Sequence, residues 1–357
     1  MKSRSTIKGR GAQKVIQNRF FELSHEMRDD FLEYCAKEGD LSDNDKTKYL
    51  NVFPKTIVNK VTSPDVGMAY SMNPYQGCEH GCIYCYARNS HEFWGFGPGL
   101  DFERNILVKK DAPKLLETLL KKKSWEAKTI VMSGNTDCYQ PAEKEFEITR
   151  KCLELFIRYR HPVGIITKNA LILRDLDLLK ELVFYNLISV NISITTLSES
   201  TRRILEPRTA TTKRRFNVVK ELSDNGVPVN VMLAPIIPSI NSHEILPIAK
   251  LVSEAGALNM VHTIVRLNGS IGEIFKDWIR RTLPDKAEKV LNQIEDCHGG
   301  KLNESRFGVR MRGEGHIAKQ INDTIRLAKS KYFKGRSMPK LNYTLHEQYK
   351  DGQLKLF

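Results

Sequence analysis

Gly77-Cys78-Glu79-His80-Gly81-Cys82-Ile83-Tyr84-Cys85-Tyr86 is the stretch on which the reading of this chain turns. Its cysteines follow the spacing C-x3-C-x2-C. Three thiolates this close together can hold three irons of a [4Fe-4S] cluster and leave the fourth iron without a protein ligand. An open metal position is where a cluster does chemistry rather than only carrying electrons. Glycines precede the first two cysteines, and Tyr84 precedes the third. Zinc is the competing reading. A closed zinc site wants four ligands, commonly two C-x2-C pairs. Here there is one such pair, Cys138, Cys152 and Cys297 stand singly, and His80 would have to be the fourth ligand. A disulfide framework does not suit seven cysteines without regular pairing, in a chain whose first residues lack the apolar segment of a secretory signal.

Outward from the cysteines the chain alternates strand and helix from about residue 66. Strands are expected over 68–74, 129–133, 163–167, 187–194, 227–234 and 260–267. Helices are expected over 114–123, 143–160, 171–183, 211–225 and 243–255, the last two closed by Gly226 and Gly256. Six such steps with short apolar strands imply an α/β protein, a parallel sheet covered by helices. Periodicity does not separate an open (βα)6 barrel from a doubly wound sheet. Three parts are expected: an N-terminal extension (1–65), the β-α unit (66–270) and a mostly helical C-terminal segment (271–357). In the extension, Lys8-Gly9-Arg10-Gly11-Ala12 reads as a mobile basic stretch and 20–37 as a helix. Residues 329–340 read as a basic, extended tail.

In parallel β-α sheets, sites gather where the strands end. Those positions hold Ser133-Gly134-Asn135-Thr136-Asp137-Cys138-Tyr139-Gln140-Pro141, then Thr167-Lys168-Asn169, then Asn191 and Ser193. Ser133, Asn135, Asp137, Lys168, Asn191 and Ser193 are the candidate cofactor contacts, and Asn135 and Asp137 have helix capping as their alternative. Cys138 and Tyr139 are candidates to return a hydrogen atom to a product, with simple packing as the alternative.

The cysteine motif resembles that of the radical SAM superfamily. The Thr-Asp-x-Tyr-Gln-Pro run with Thr-Lys at the next strand end resembles the spore photoproduct lyase-like branch, whose members are described as DNA repair photolyases. The resemblance implies a partial (βα)6 barrel over roughly 66–270. It implies that Cys78, Cys82 and Cys85 carry a [4Fe-4S] cluster. The open iron would take S-adenosyl-L-methionine, which an external electron donor and the cluster would split to a 5'-deoxyadenosyl radical. Ser133 and Asn135 would meet the methionine end, Lys168 its carboxylate, and Asn191 or Ser193 the ribose. The Gly-Gly-Glu signature of many members is replaced here by Ser133-Gly134-Asn135, a departure that bears on the amino-group contacts.

The chain has 56 basic and 42 acidic residues, a net charge of +14. That balance suits a polyanion, with DNA as the expected partner and RNA as the alternative. Arg208, in Glu206-Pro207-Arg208-Thr209, could reach a phosphate or end a helix. The aromatic loop 93–99 could stack on a base or cover the cluster. The last residues, Gln353, Leu354, Leu356 and Phe357, are similar to the Q-L-x-L-F peptide that docks on the bacterial sliding clamp. No stretch has the length of a membrane span, and a cytoplasmic location is expected. The expected activity is reductive cleavage of S-adenosylmethionine with hydrogen abstraction from DNA, as in a lyase acting on lesions. RNA or protein is the alternative substrate, and a metal-containing nucleic-acid-binding factor without turnover is the alternative of another class.

Overall fold

The computed structural model describes residues 7–20 and 46–350. The helix expected over 20–37 (past Phe20) and the clamp-like peptide Gln353, Leu354, Leu356 and Phe357 lie outside these residues.

The strands in chain order are β1 (Lys48–Asn51), β2 (Val58–Lys60), β3 (Tyr70–Met72), β4 (Tyr75–Gln76), β5 (Asn105–Val108), β6 (Ile130–Met132), β7 (Val163–Thr167), β8 (Ile188–Ser193), β9 (Val229–Ile236) and β10 (Asn259–Ile264). Strands β3, β6, β7, β8, β9 and β10 pair in parallel, each with its sequence neighbour. A doubly wound sheet would reverse direction partway across. This strand order never reverses, and the sheet is the open (βα)6 barrel. β2 adds an antiparallel edge on β3. β1, β5 and β4 form a separate small sheet, so residues 48–60 of the expected extension contribute strands to both sheets.

Alternation along each strand sorts the two faces. Ile130, Met132, Val163, Ile165, Ile188, Val190, Val229 and Val231 are buried in the main core under the helices. Their neighbours on the opposite, concave face include the small or polar Ser71, Gly164, Ser189, Asn191 and Asn230 beside Val131 and Ile166. A Cβ on Gly164 would lie only 3.2 Å from Val131, so glycine keeps that face open.

Two expected helices are divided. The one over 143–160 is Glu143–Phe146 and Ile148–Arg158, with Glu147 between them at φ 51°. The buried Glu143 carboxylate accepts from the N–H groups of Thr149 and Arg150 at 2.9 and 3.3 Å, which caps the second piece. The one over 171–183 begins as a 3-10 turn, Ala170–Asp175, with Asn169 accepting from Leu171 N–H.

The C-terminal helices Ile271–Thr282 and Ala287–Asp296 pack against Cys82, Ile83 and Tyr84 in a second apolar cluster. The expected extended tail is packed as far as it is described. Helix Gly315–Tyr332 runs into it, Arg336 donates to the carbonyls of Ser253 and Ala257, and helix Thr344–Lys350 sets His346 on His161. No helix among the described residues is long and apolar enough to cross a membrane.

Candidate active site

The cysteine loop lies just beyond β3 and β4, at the end of the barrel where the parallel strands finish. Two glycines let it wind tightly. Gly77 and Gly81 have φ of 80° and 66°, a region that disfavours other residues. A Cβ on Gly77 would lie 2.7 Å from the Asn105 carbonyl, and one on Gly81 would lie 2.9 Å from the Glu103 carboxylate. Cys78 N–H donates to the Phe102 carbonyl at 2.8 Å and Ile83 N–H to that of Leu205 at 3.0 Å. Gln140, fully buried, accepts from Glu79 N–H at 3.0 Å and donates to the Gly77 carbonyl at 3.1 Å. Gln140 belongs to the Tyr-Gln-Pro run, and its amide pins the loop.

Cys78 and Cys82 are buried and Cys85 is half-buried. Burial pushes all three thiols upward in pKa. They become thiolates at neutral pH only if something positive binds them, as metal does. For Cys82, Glu206 adds to the upward push while Lys168 opposes it; Lys168 also favours the Cys85 thiolate. A zinc site would need His80 as its fourth ligand beside the three cysteines. His80 has both ring nitrogens engaged, Nδ1 with Asp137 at 3.3 Å and Nε2 with Asn169 at 3.2 Å. Three sulfurs on one tightly wound loop, set at the mouth of a barrel with a polar concave face, fit a three-cysteine cluster and its open iron.

Tyr84 is buried. Its hydroxyl donates to the buried Glu206 carboxylate, which also accepts from Thr195 Oγ1 at 2.9 Å and pairs with Arg215. Burial works to raise the Glu206 pKa, but Arg215 and then Lys168 outweigh it and hold it at about 2. The ion pair ties the loop to helix Thr212–Asp224, and the sequence reading missed both Glu206 and Arg215. Arg208 lies beside Glu79 at 3.8 Å and Thr47 at 3.4 Å, and its N–H donates to the His80 carbonyl at 3.2 Å.

The expected cofactor contacts converge on the mouth, several already committed to the protein. Ser133, at φ 71°, accepts from Cys138 N–H at 2.7 Å. Asn135 donates to Ser90 at 2.8 Å and Gln76 at 3.2 Å, facing the turn that follows the cysteines. Asp137 is a hub: it accepts from Thr167 Oγ1, Lys168 N–H and Tyr139 N–H at 2.8, 2.8 and 2.9 Å and meets His80. Burial opposes its ionisation, yet His80 and these donors hold its pKa below the usual value. The side chain of Lys168 has no hydrogen-bond partner among the described residues. Asn191 accepts from Asn230 Nδ2 at 2.6 Å across β8 and β9. The Asn230 Oδ1 is buried without a partner among the described residues, an acceptor on the concave face that the sequence reading passed over. Ser193 is buried, its carbonyl held by Arg215 at 2.9 Å.

Cys138 and Tyr139 follow Asp137 into the interior. Both are wholly buried in the main core, and the Tyr139 hydroxyl is spent on Asp175 at 3.1 Å. Tyr86, next to Cys85, is 53% exposed and hydrogen-bonded to the Gly134 carbonyl at 2.5 Å. Beyond β10, Arg266 is half-buried without a hydrogen-bond partner among the described residues. Burial first, and then Arg310, lower its pKa, while Asp65 and Tyr86 act the other way. Arg310 itself is paired with Asp65 at 2.5 Å. In the aromatic loop, Phe93 is 71% and Trp94 37% exposed, so they do not form a closed cover.

The model of the Radical SAM superfamily matches residues 72–252. An uncharacterized protein of Mycobacterium tuberculosis (strain H37Rv) is 30% identical over 244 residues, covering 68% of this chain and 72% of its own. One of Methanocaldococcus jannaschii is 28% identical over 250 residues, covering 70% and 89%. Among solved structures, spore photoproduct lyase complexed with dinucleoside spore photoproduct superposes with a TM-score of 0.58 at 16% identity, over 80% of each chain. This chain belongs to the radical SAM superfamily. It is an enzyme class that uses a [4Fe-4S] cluster and S-adenosylmethionine, and at this identity the likeness to the lyase is one of fold.

Proposed function

We propose that this radical SAM enzyme acts on nucleic acid, DNA first, abstracting hydrogen from a nucleotide held at the barrel mouth. Cys78, Cys82 and Cys85 hold the cluster, which supplies the electron that cleaves S-adenosylmethionine. Lys168 takes the cofactor carboxylate, and the concave face with Asn191 and Asn230 takes its nucleoside part. The observation that carries the choice of substrate is Arg266. A half-buried guanidinium without a hydrogen-bonding partner among the described residues, beside Arg310 and Tyr86, suits a phosphate next to the reacting nucleotide. The net charge of +14 supports the same partner.

The test is anaerobic. Reconstituted protein is given S-adenosylmethionine and dithionite, and 5'-deoxyadenosine is measured alone and with single-stranded DNA, duplex DNA or RNA. DNA is expected to raise the rate, and Cys82→Ala to abolish product. Arg266→Ala should weaken DNA binding and lower the salt slope by about 1, the signature of one lost phosphate contact. A greater stimulation by RNA would transfer the reading to RNA. Product formation indifferent to every nucleic acid, with no salt-dependent binding, would overturn it.

A further inference from the structure

The stretch expected to be mobile, Lys8 to Ala12, is instead the start of a strap across the outer side of the cysteine loop. Arg10 and Ala12 are 6% and 1% exposed. Glycines mark contacts too close for any side chain. A Cβ on Gly11 would lie 1.8 Å from the Gly81 carbonyl oxygen, between the first two cluster cysteines. One on Gly97 would lie 2.1 Å from the Ile16 carbonyl, and one on Gly99 2.3 Å from that of Lys14. Leu100 N–H donates to the Lys14 carbonyl at 3.2 Å.

Glu103 is the latch. Its fully buried carboxylate accepts from Ala12 N–H at 2.8 Å and Gly11 N–H at 3.1 Å, and pairs with Arg88 at 2.6 Å. Its own carbonyl accepts from Arg10 at 2.6 Å. Arg88, fully buried, donates twice to the Cys82 carbonyl at 3.1 and 2.9 Å. One buried carboxylate is thus shared by the strap and by the arginine that fixes Cys82. Removing the strap's two donors leaves it under-satisfied, which is costly in a dry interior. The far side is closed too. Ala12, Ile7 and Ile16 join the apolar cluster of Cys82 and Phe275, and Lys14 reaches Asp277 at 3.0 Å.

We propose that residues 10–16 are a resident wall of the cluster housing, latched by Glu103, that shields the cluster from chelators and oxidants and sets the path of the Gly81–Cys82 backbone.

The test uses the full-length holoprotein and needs no turnover. Loss of the cluster's visible absorbance is followed after adding an iron(II) chelator and, separately, air. Gly11→Val forces the strap off Gly81, and Arg10→Ala removes an anchor. Both should lose the cluster about tenfold faster than the wild type or more, as expected when a local closure is removed. Far-UV circular dichroism and exchange of the β7 to β9 amides should stay as in the wild type. In the wild type the amides of Gly11 and Ala12 should exchange as slowly as those of β7, a measurement that requires no variant to fold. Free exchange of those two amides overturns the proposal. So does a Gly11→Val protein whose strap exchanges freely while its cluster persists as in the wild type.

Discussion

The barrel and the cysteine housing are held by different chemistry. In the barrel, many Ile, Val and Leu side chains share the work, each contacting several others in one continuous core. In the housing, a smaller apolar cluster is joined by buried ion pairs, Glu103 with Arg88 and Glu206 with Arg215. Apolar burial is redundant and non-directional. A buried ion pair is neither, and removal of one member leaves the other uncompensated. The barrel should therefore absorb single changes that the housing cannot.

The largest expected effect is Glu206→Ala. It leaves Arg215 buried and unpaired, at a cost of about 3–5 kcal/mol. The melting temperature should fall sharply and cluster occupancy with it. An unchanged melting curve would remove the contrast. The same pair has a pH signature. The Glu206 pKa is held at about 2 against a usual 4.5, so its stabilisation is present above 4.5 and is lost as pH falls toward about 2. Acid unfolding of the wild type should bind a proton that Glu206→Gln does not.

A smaller effect is expected from Ile165→Val in β7, about 0.5–1.5 kcal/mol. Chemical denaturation should register it, and the cluster spectrum should not change. The smallest concerns the far end of the chain. Burial first, and then His346, lower the His161 pKa to about 3 from a usual 6.5. A histidine held neutral in the folded state stabilises fully above 6.5 and progressively less below it. Mild acid should loosen helix Thr344–Lys350 before it affects the barrel, which hydrogen exchange between pH 7 and 5 reads directly.

The same contrast governs what was legible in the sequence. The six parallel strands were, because alternation and apolar runs are local signals. So was the loop Cys78–Cys85, because its ligand spacing is local. Strand β5 was not. Its four residues, Asn-Ile-Leu-Val, pair with β1 more than fifty positions earlier, and nothing nearby announces that partner. The break at Glu147 was hidden for a similar reason, since a long amphipathic pattern continues across a residue that has left the helical region. The strap was misread because glycine and arginine mark both mobile chain and tight contact. Only the position of Gly81 and Glu103 separates the two. The burial of Cys138 and Tyr139 was not legible either, since a strand-end loop reads as exposed whichever way its side chains turn.

The salt link from Lys14 to Asp277 has a consequence for synthesis of the chain. The strap precedes its latch by some ninety residues, and its apolar backing comes only with helix Ile271–Thr282. Until that helix emerges, the cysteines have been made and their outer wall cannot yet seat. The three-thiol loop therefore gains its full outer packing only once helix Ile271–Thr282 has been made.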